Sequence, residues 1–99
     1  MQIEHKGNNE LVITGTIKTV EDSLAIKKAL SALQQQGATS IILKIPDSFS
    51  MTSTVIGHLM KLVHLDKITV SLVVGDFRLY QLLEELSIVK PFNVRLAGR

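Results

Sequence analysis

Short β-branched runs alternate along this chain with leucine and isoleucine stripes at helical spacing, and few architectures bury both kinds of segment at once. Glu10 to Gly15, Ile41 to Ile45 and Ile68 to Val74 read as strands. After the first run, Thr19 is placed to cap a helix, and Asp22 three residues on completes a capping box. Ser23, Ile26, Leu30 and Leu33 then form one apolar stripe, and Gly37 ends the helix as its left-handed cap. A second helix runs from the hydroxyl cluster near Thr52 to about Leu65, with Ile56, Leu59, Leu62 and Val63 facing inward. Gly75 turns the chain and Asp76 caps a third helix, whose stripe is Leu79, Leu82, Leu83 and Leu86. Pro91 prevents further helix, and Phe92 to Leu96 is expected to form the last strand.

Ahead of these elements, Gln2 to Lys6 and the turn signal Gly7-Asn8-Asn9 predict an N-terminal β-hairpin with the first of the three runs. The order is therefore ββαβαβαβ. Single helices between strands call for right-handed crossovers. The expectation is one α/β domain over residues 1–99, with a mixed, mainly parallel sheet of four or five strands. Ile41 to Ile45, a continuous apolar run, is expected to be buried on both faces.

Composition narrows the function. Ninety-nine residues suffice for one compact domain, and 45% hydrophobic with 20% charged residues is ordinary for a globular one. No apolar block approaches the roughly 20 residues of a membrane-spanning helix, and the N-terminus has no signal-peptide pattern, so a cytoplasmic location is expected. The absence of cysteine excludes disulfides, thiolate metal sites and a cysteine nucleophile. A net charge of only +2, scattered basic residues and 4% aromatics argue against nucleic acid as a partner.

The candidate site is the stretch from Phe49 to Leu59, where Ser50, Thr52, Ser53 and Thr54 crowd a helix start. The first amides of a helix lack intrahelical partners, and the backbone dipoles point their positive ends there. Hydroxyls at such a place cap the helix, or one of them carries a phosphate that the site then holds. Met51, Val55 and Met60 are expected either as an apolar docking rim or as core. Gly57 marks a close approach, by the sheet or by a partner, and Leu24 lies off its helix stripe. His58 and His64 are six apart, on different faces of one helix, and His5 is on the hairpin, so no metal site is expected. Asp22, Asp47, Asp76, Glu84 and Glu85 show no pairing suited to acid–base chemistry. Gly15-Thr16-Ile17-Lys18 lacks the further glycines of a phosphate loop. Neither an enzyme nor a cofactor is expected.

Taken in order, these pieces resemble the STAS domain, the sulphate-transporter and anti-sigma-factor-antagonist family, over nearly the whole chain. The residues that carry the likeness are Leu11 to Gly15, the stripe from Ser23 to Gly37, and Ile41 to Ile45 followed by Thr52-Ser53-Thr54-Val55-Ile56-Gly57 and Leu59. Phe77 to Val94 resembles the closing helix and final apolar segment. Where that family has an acidic residue before its serine this chain has Thr52, its first motif glycine is Val55, and the glycine ending its third helix is Ser87.

The resemblance implies a bacterial-type regulator that works by binding protein. Ser53 stands at the serine that a partner kinase, itself an anti-sigma factor, phosphorylates in that family to release the complex and so regulate transcription. Thr52 and Thr54 are lesser candidates for the phosphate. The partner face would comprise Met51, Thr52, Ser53, Thr54, Val55, Gly57, His58 and Met60. Stand-alone members also resemble constitutive accessory subunits that clamp the ATPase of a lipid-transporting ABC system. A third expectation is a small-ligand sensor holding a nucleotide phosphate at the same helix start.

Overall fold

The computed structural model describes residues 1–97 and has the elements in the expected order. They are β1 (Gln2–Lys6), β2 (Glu10–Thr14), α1 (Val20–Gln35), β3 (Ser40–Ile45), α2 (Ser53–His64), β4 (Thr69–Val74), α3 (Phe77–Glu85) and β5 (Arg95–Leu96). The five strands form one α/β sheet in sequence order. β1 pairs antiparallel with β2, and each later neighbour pairs in parallel, with Leu11 beside Leu43 and Leu43 beside Leu72.

Strand order equal to sequence order has a direct consequence. Each right-handed crossover steps the same way, so all three helices land on one face of the sheet. Burial follows that geometry: Leu11 and Ile13, Ile41, Leu43 and Ile45, and Val70, Leu72 and Val74 are buried, while the residues between them are not. The expectation that β3 is buried on both faces is therefore corrected. Ile42 is only half-buried and Lys44 is exposed, because no helix crosses to their side. On that open face the Lys44 ammonium lies 3.3 Å from Glu10 on the neighbouring strand.

α1 forms as its sequence dictates. Thr19 Oγ1 accepts the Asp22 amide at 3.0 Å, and Asp22 Oδ2 accepts the Thr19 amide at 3.2 Å. Ser23, Ile26, Ala29, Leu30 and Leu33 face the sheet. Each fully buried Leu or Ile on such a stripe contributes about 1.5–3 kcal/mol relative to exposure. Gly37, at φ +96, closes the helix with its amide on the Gln34 carbonyl and the Ala38 amide on that of Leu33.

α3 ends earlier than its leucine periodicity suggests. Ser87 adopts φ +61 and closes the same kind of cap, so Leu86 is left 49% exposed and Ile88 takes the buried position beyond it. The last strand is likewise shorter than Phe92 to Leu96. Asn93 turns left-handed at φ +48 and donates through Nδ2 to the Val70 carbonyl at 2.8 Å. Phe92, fully buried, is thereby an anchor in a turn rather than a strand residue.

Gly75 leaves β4 directly against the β3–α2 connection, and a Cβ there would run into the Pro46 carbonyl oxygen. Gly57, in the middle of α2, has nothing within 4 Å of such a Cβ. The two glycines should respond oppositely to alanine. Gly75→Ala is expected to destabilise by about 1–3 kcal/mol or more, as an overpacked contact does. Gly57→Ala is expected to stabilise by about 0.5–1 kcal/mol through lower backbone entropy in the unfolded chain. Urea denaturation of the two variants beside the parent checks both signs.

Candidate functional site

The start of α2 is fixed by a lattice of hydroxyls and one carboxylate at the carboxyl ends of the strands. Asp47 Oδ1 accepts the Gly15 amide at 2.7 Å, and the fully buried Ser48 Oγ accepts the Ile17 amide at 3.0 Å. Ser48 Oγ donates to the Ser50 carbonyl at 2.7 Å, and Ser50 Oγ donates to the Ile17 carbonyl at 3.1 Å. These bonds join the loop before α1 to the loop before α2, and those of Ser48 and Ser50 satisfy buried or partly buried backbone groups.

Thr52 is the N-cap of α2, its Oγ1 accepting the Val55 amide at 3.3 Å. The same oxygen lies 2.6 Å from Ser23 Oγ on α1, and Ser23 Oγ reaches the Thr19 carbonyl at 3.1 Å. A hydroxyl has one proton. With that of Ser23 given to Thr19, Thr52 is the donor in the pair, so each of its hydroxyl functions is used.

The four hydroxyls singled out from the sequence therefore divide two and two. Ser50 and Thr52 hold the loop and the helix together, as does Ser48, which sequence reasoning passed over. Ser53 and Thr54, exposed on the first turn, make no side-chain hydrogen bond among the described residues. No acidic side chain occupies that turn. A phosphate on Ser53 would thus meet the positive end of α2 with no carboxylate on the same turn to repel it.

Of the two expectations for the apolar residues here, core packing holds for Met51 and Val55, so neither can contribute to a partner face. Met51 is buried and Val55 fully so, both in the core, because Val55 shares its helix line with Leu59 and Leu62. Met60 is half-buried against the core on the other edge of the stripe, beside Ile56 and Val63. Gly57 is exposed, and among the described residues nothing outside its own helix lies within 4 Å of a Cβ placed there, so the sheet is not what its missing side chain accommodates. Leu24 is exposed with Val20 one turn before it on α1.

An aromatic group missed from the sequence involves the loop that leads into α2. Phe49, 47% exposed, lies under the Arg78 guanidinium at 4.8 Å from its ring centroid. Arg78 in turn pairs with Asp76 at 2.7 Å, which holds the Asp76 carboxyl below its ordinary range, and Phe77 stacks on Tyr80. Phe49 opened the hydroxyl stretch in the sequence, but its partner comes from α3, and no local signal joins them.

α1 and α2 are tied at both ends, by Ser23–Thr52 and by Gln34 Nε2 donating to Asp66 Oδ2 at 3.0 Å. Lys61 also reaches Asp66 at 3.0 Å, and with Gln34 it lowers that carboxyl's pKa. His58 is half-buried on the edge of α2 and His64 is exposed. Among the described residues no group of three or more His, Cys, Asp or Glu is placed to hold a metal ion, and no helix is long and apolar enough to cross a membrane.

Thr52→Val should cost about 1–2 kcal/mol, the loss of an N-cap together with the pair to Ser23. Ser53→Ala should change stability by less than about 0.5 kcal/mol, as an exposed substitution without partners does. A double-mutant cycle with Ser23→Ala, read by urea denaturation, should show the Ser23 and Thr52 effects to be non-additive. No protein-family model, curated protein or solved structure matches the chain.

Proposed function

We propose that this chain is a non-enzymatic, STAS-like protein-binding module of the anti-sigma-factor-antagonist kind, docking through the first two turns of α2 onto a serine kinase that acts as an anti-sigma factor. The observation that carries the reading is Gly57. A glycine inside a helix costs roughly 0.5–1 kcal/mol relative to alanine. Among the described residues nothing outside its own helix comes within 4 Å of a Cβ placed there, which supports a role for the bare backbone toward a partner.

Exposed Ser53 and Thr54 lie on the preceding turn, with Met60 and Phe49 supplying apolar surface nearby. Phosphorylation of Ser53 would add nearly two negative charges to a surface that the partner has to desolvate. A loss of about 1.4 kcal/mol lowers affinity tenfold, so the complex dissociates without any change of fold. The helix start tolerates the charge in the free protein. Bound and free states are then both stable, and the modification selects between them.

A second reading, a constitutive subunit clamped to the ATPase of an ABC-type lipid transporter, uses the same exposed Gly57 and needs no phosphate. Thr52, where the resemblance would place an acid, favours it. Its hydroxyl is committed to the cap and to Ser23, so the residue serves the fold rather than a kinase.

The two readings separate in binding assays with the kinase or ATPase encoded beside this chain. Under the switching reading, kinase and ATP modify Ser53, and Ser53→Asp binds the partner at least about tenfold more weakly than Ser53→Ala. Equal binding by both, with Ser53 unmodified, leaves the constitutive reading. Gly57→Leu should weaken binding to either partner while the protein stays folded, and unimpaired binding by that variant would contradict docking on α2.

A further inference from the structure

His58 sits on the seam between α1 and α2 with its Nε2 sealed from solvent and, among the described residues, without a hydrogen-bond partner. The seam is fixed at its two ends by the hydroxyl pair Ser23–Thr52 and by the Gln34–Asp66 bond. Between them, Lys27 stands one turn beyond Ser23 on α1, and His58 stands one turn beyond Val55 on α2. His58 also precedes the fully buried Leu62 by one turn, so its ring borders the core stripe rather than the outer surface.

The charges around it oppose a proton. Lys27 faces it from α1 and Lys61 from its own helix. Among the described residues Asp66, in the turn after α2, is the one acidic group acting on it, and that carboxylate is already engaged by Lys61 and Gln34. Burial is the largest influence, followed by Lys27 and Lys61, and together they hold the imidazole below its ordinary pKa of 6.5. The neutral ring carrying its proton on Nδ1 leaves only a lone pair at the sealed Nε2. The imidazolium would leave an N–H there with no acceptor, in a poorly solvated place.

We infer that His58 makes the α1–α2 seam acid-sensitive, protonation parting the two helices and loosening the start of α2 while the sheet and α3 stay packed. The direction follows from linkage. The unfolded or opened chain takes up the proton at about the ordinary pKa, while the closed seam resists it until lower pH. Stability is therefore complete above about 6.5, falls as the pH drops below it, and levels off once the closed form is itself protonated. The inference stands on the seam itself and does not depend on what docks on α2.

The test is an NMR titration of the full chain with His5→Gln and His64→Gln, which leaves His58 as the single titrating imidazole, from about pH 8 to about pH 5. The expected results are a midpoint below 6.5, an Nδ1–H tautomer in the ring nitrogen shifts, and a rise in that midpoint in Lys27→Met. Amide protection factors in α1 and α2 should fall on acidification while those of α3 hold, and His58→Leu should abolish that selective fall. A midpoint at or above 6.5, an Nε2–H tautomer, or equal loss of protection across all three helices would overturn the inference, and the first two need no variant at His58.

Discussion

Ser48 is the contact on which the geometry of this molecule turns. Fully buried, it accepts the Ile17 amide and donates to the Ser50 carbonyl, while Ser50 returns a bond to the Ile17 carbonyl. Two loops at the carboxyl ends of β2 and β3 thereby act as one body. The starts of α1 and α2 are then set side by side, close enough for Ser23 and Thr52 to share a 2.6 Å contact. Gly75 adds the third loop by letting β4 leave against Pro46. Rigid loops around a helix start are what a docking face requires, because residues already fixed in place lose little entropy on binding.

The one-sided sheet shapes the rest. With every helix on one face, the helical layer carries the elaborated loops and the exposed mid-helix Gly57. The opposite face carries Glu10, Lys44 and Arg95 among half-buried Val12, Ile42 and Val73. Charge interleaved with β-branched residues suits a solvated face better than a buried one. The asymmetry is consistent with the proposed docking on α2 rather than on the sheet.

How much of this was legible in the sequence depends on the range of the interaction. Local chemistry was readable: the Thr19–Asp22 capping box, the Gly37 cap, the Asp76 cap and the stripe from Ser23 to Leu33 all rest on residues a few positions apart. Periodicity misled where a short-range break intervened. Leu86 continues the α3 stripe, yet Ser87 turns left-handed and ends the helix first. Ile42 looked like core because a run of apolar residues does not say on how many sides helices lie, which is a property of strand order. In the candidate site, the exposure of Ser53 and Thr54 follows from their place on the first turn. The burial of Met51 and Val55, the division of labour among the hydroxyls, and the Phe49–Arg78 contact depend on distant partners that no spacing reveals.

Partner binding, on this account, covers the first two turns of α2 and spares the open sheet face. Hydrogen exchange of the chain with and without its partner measures that directly. The account predicts slowed exchange from Ser53 to Met60 and unchanged exchange along β1. Protection confined to the sheet, with the amides of α2 unaffected, would contradict it.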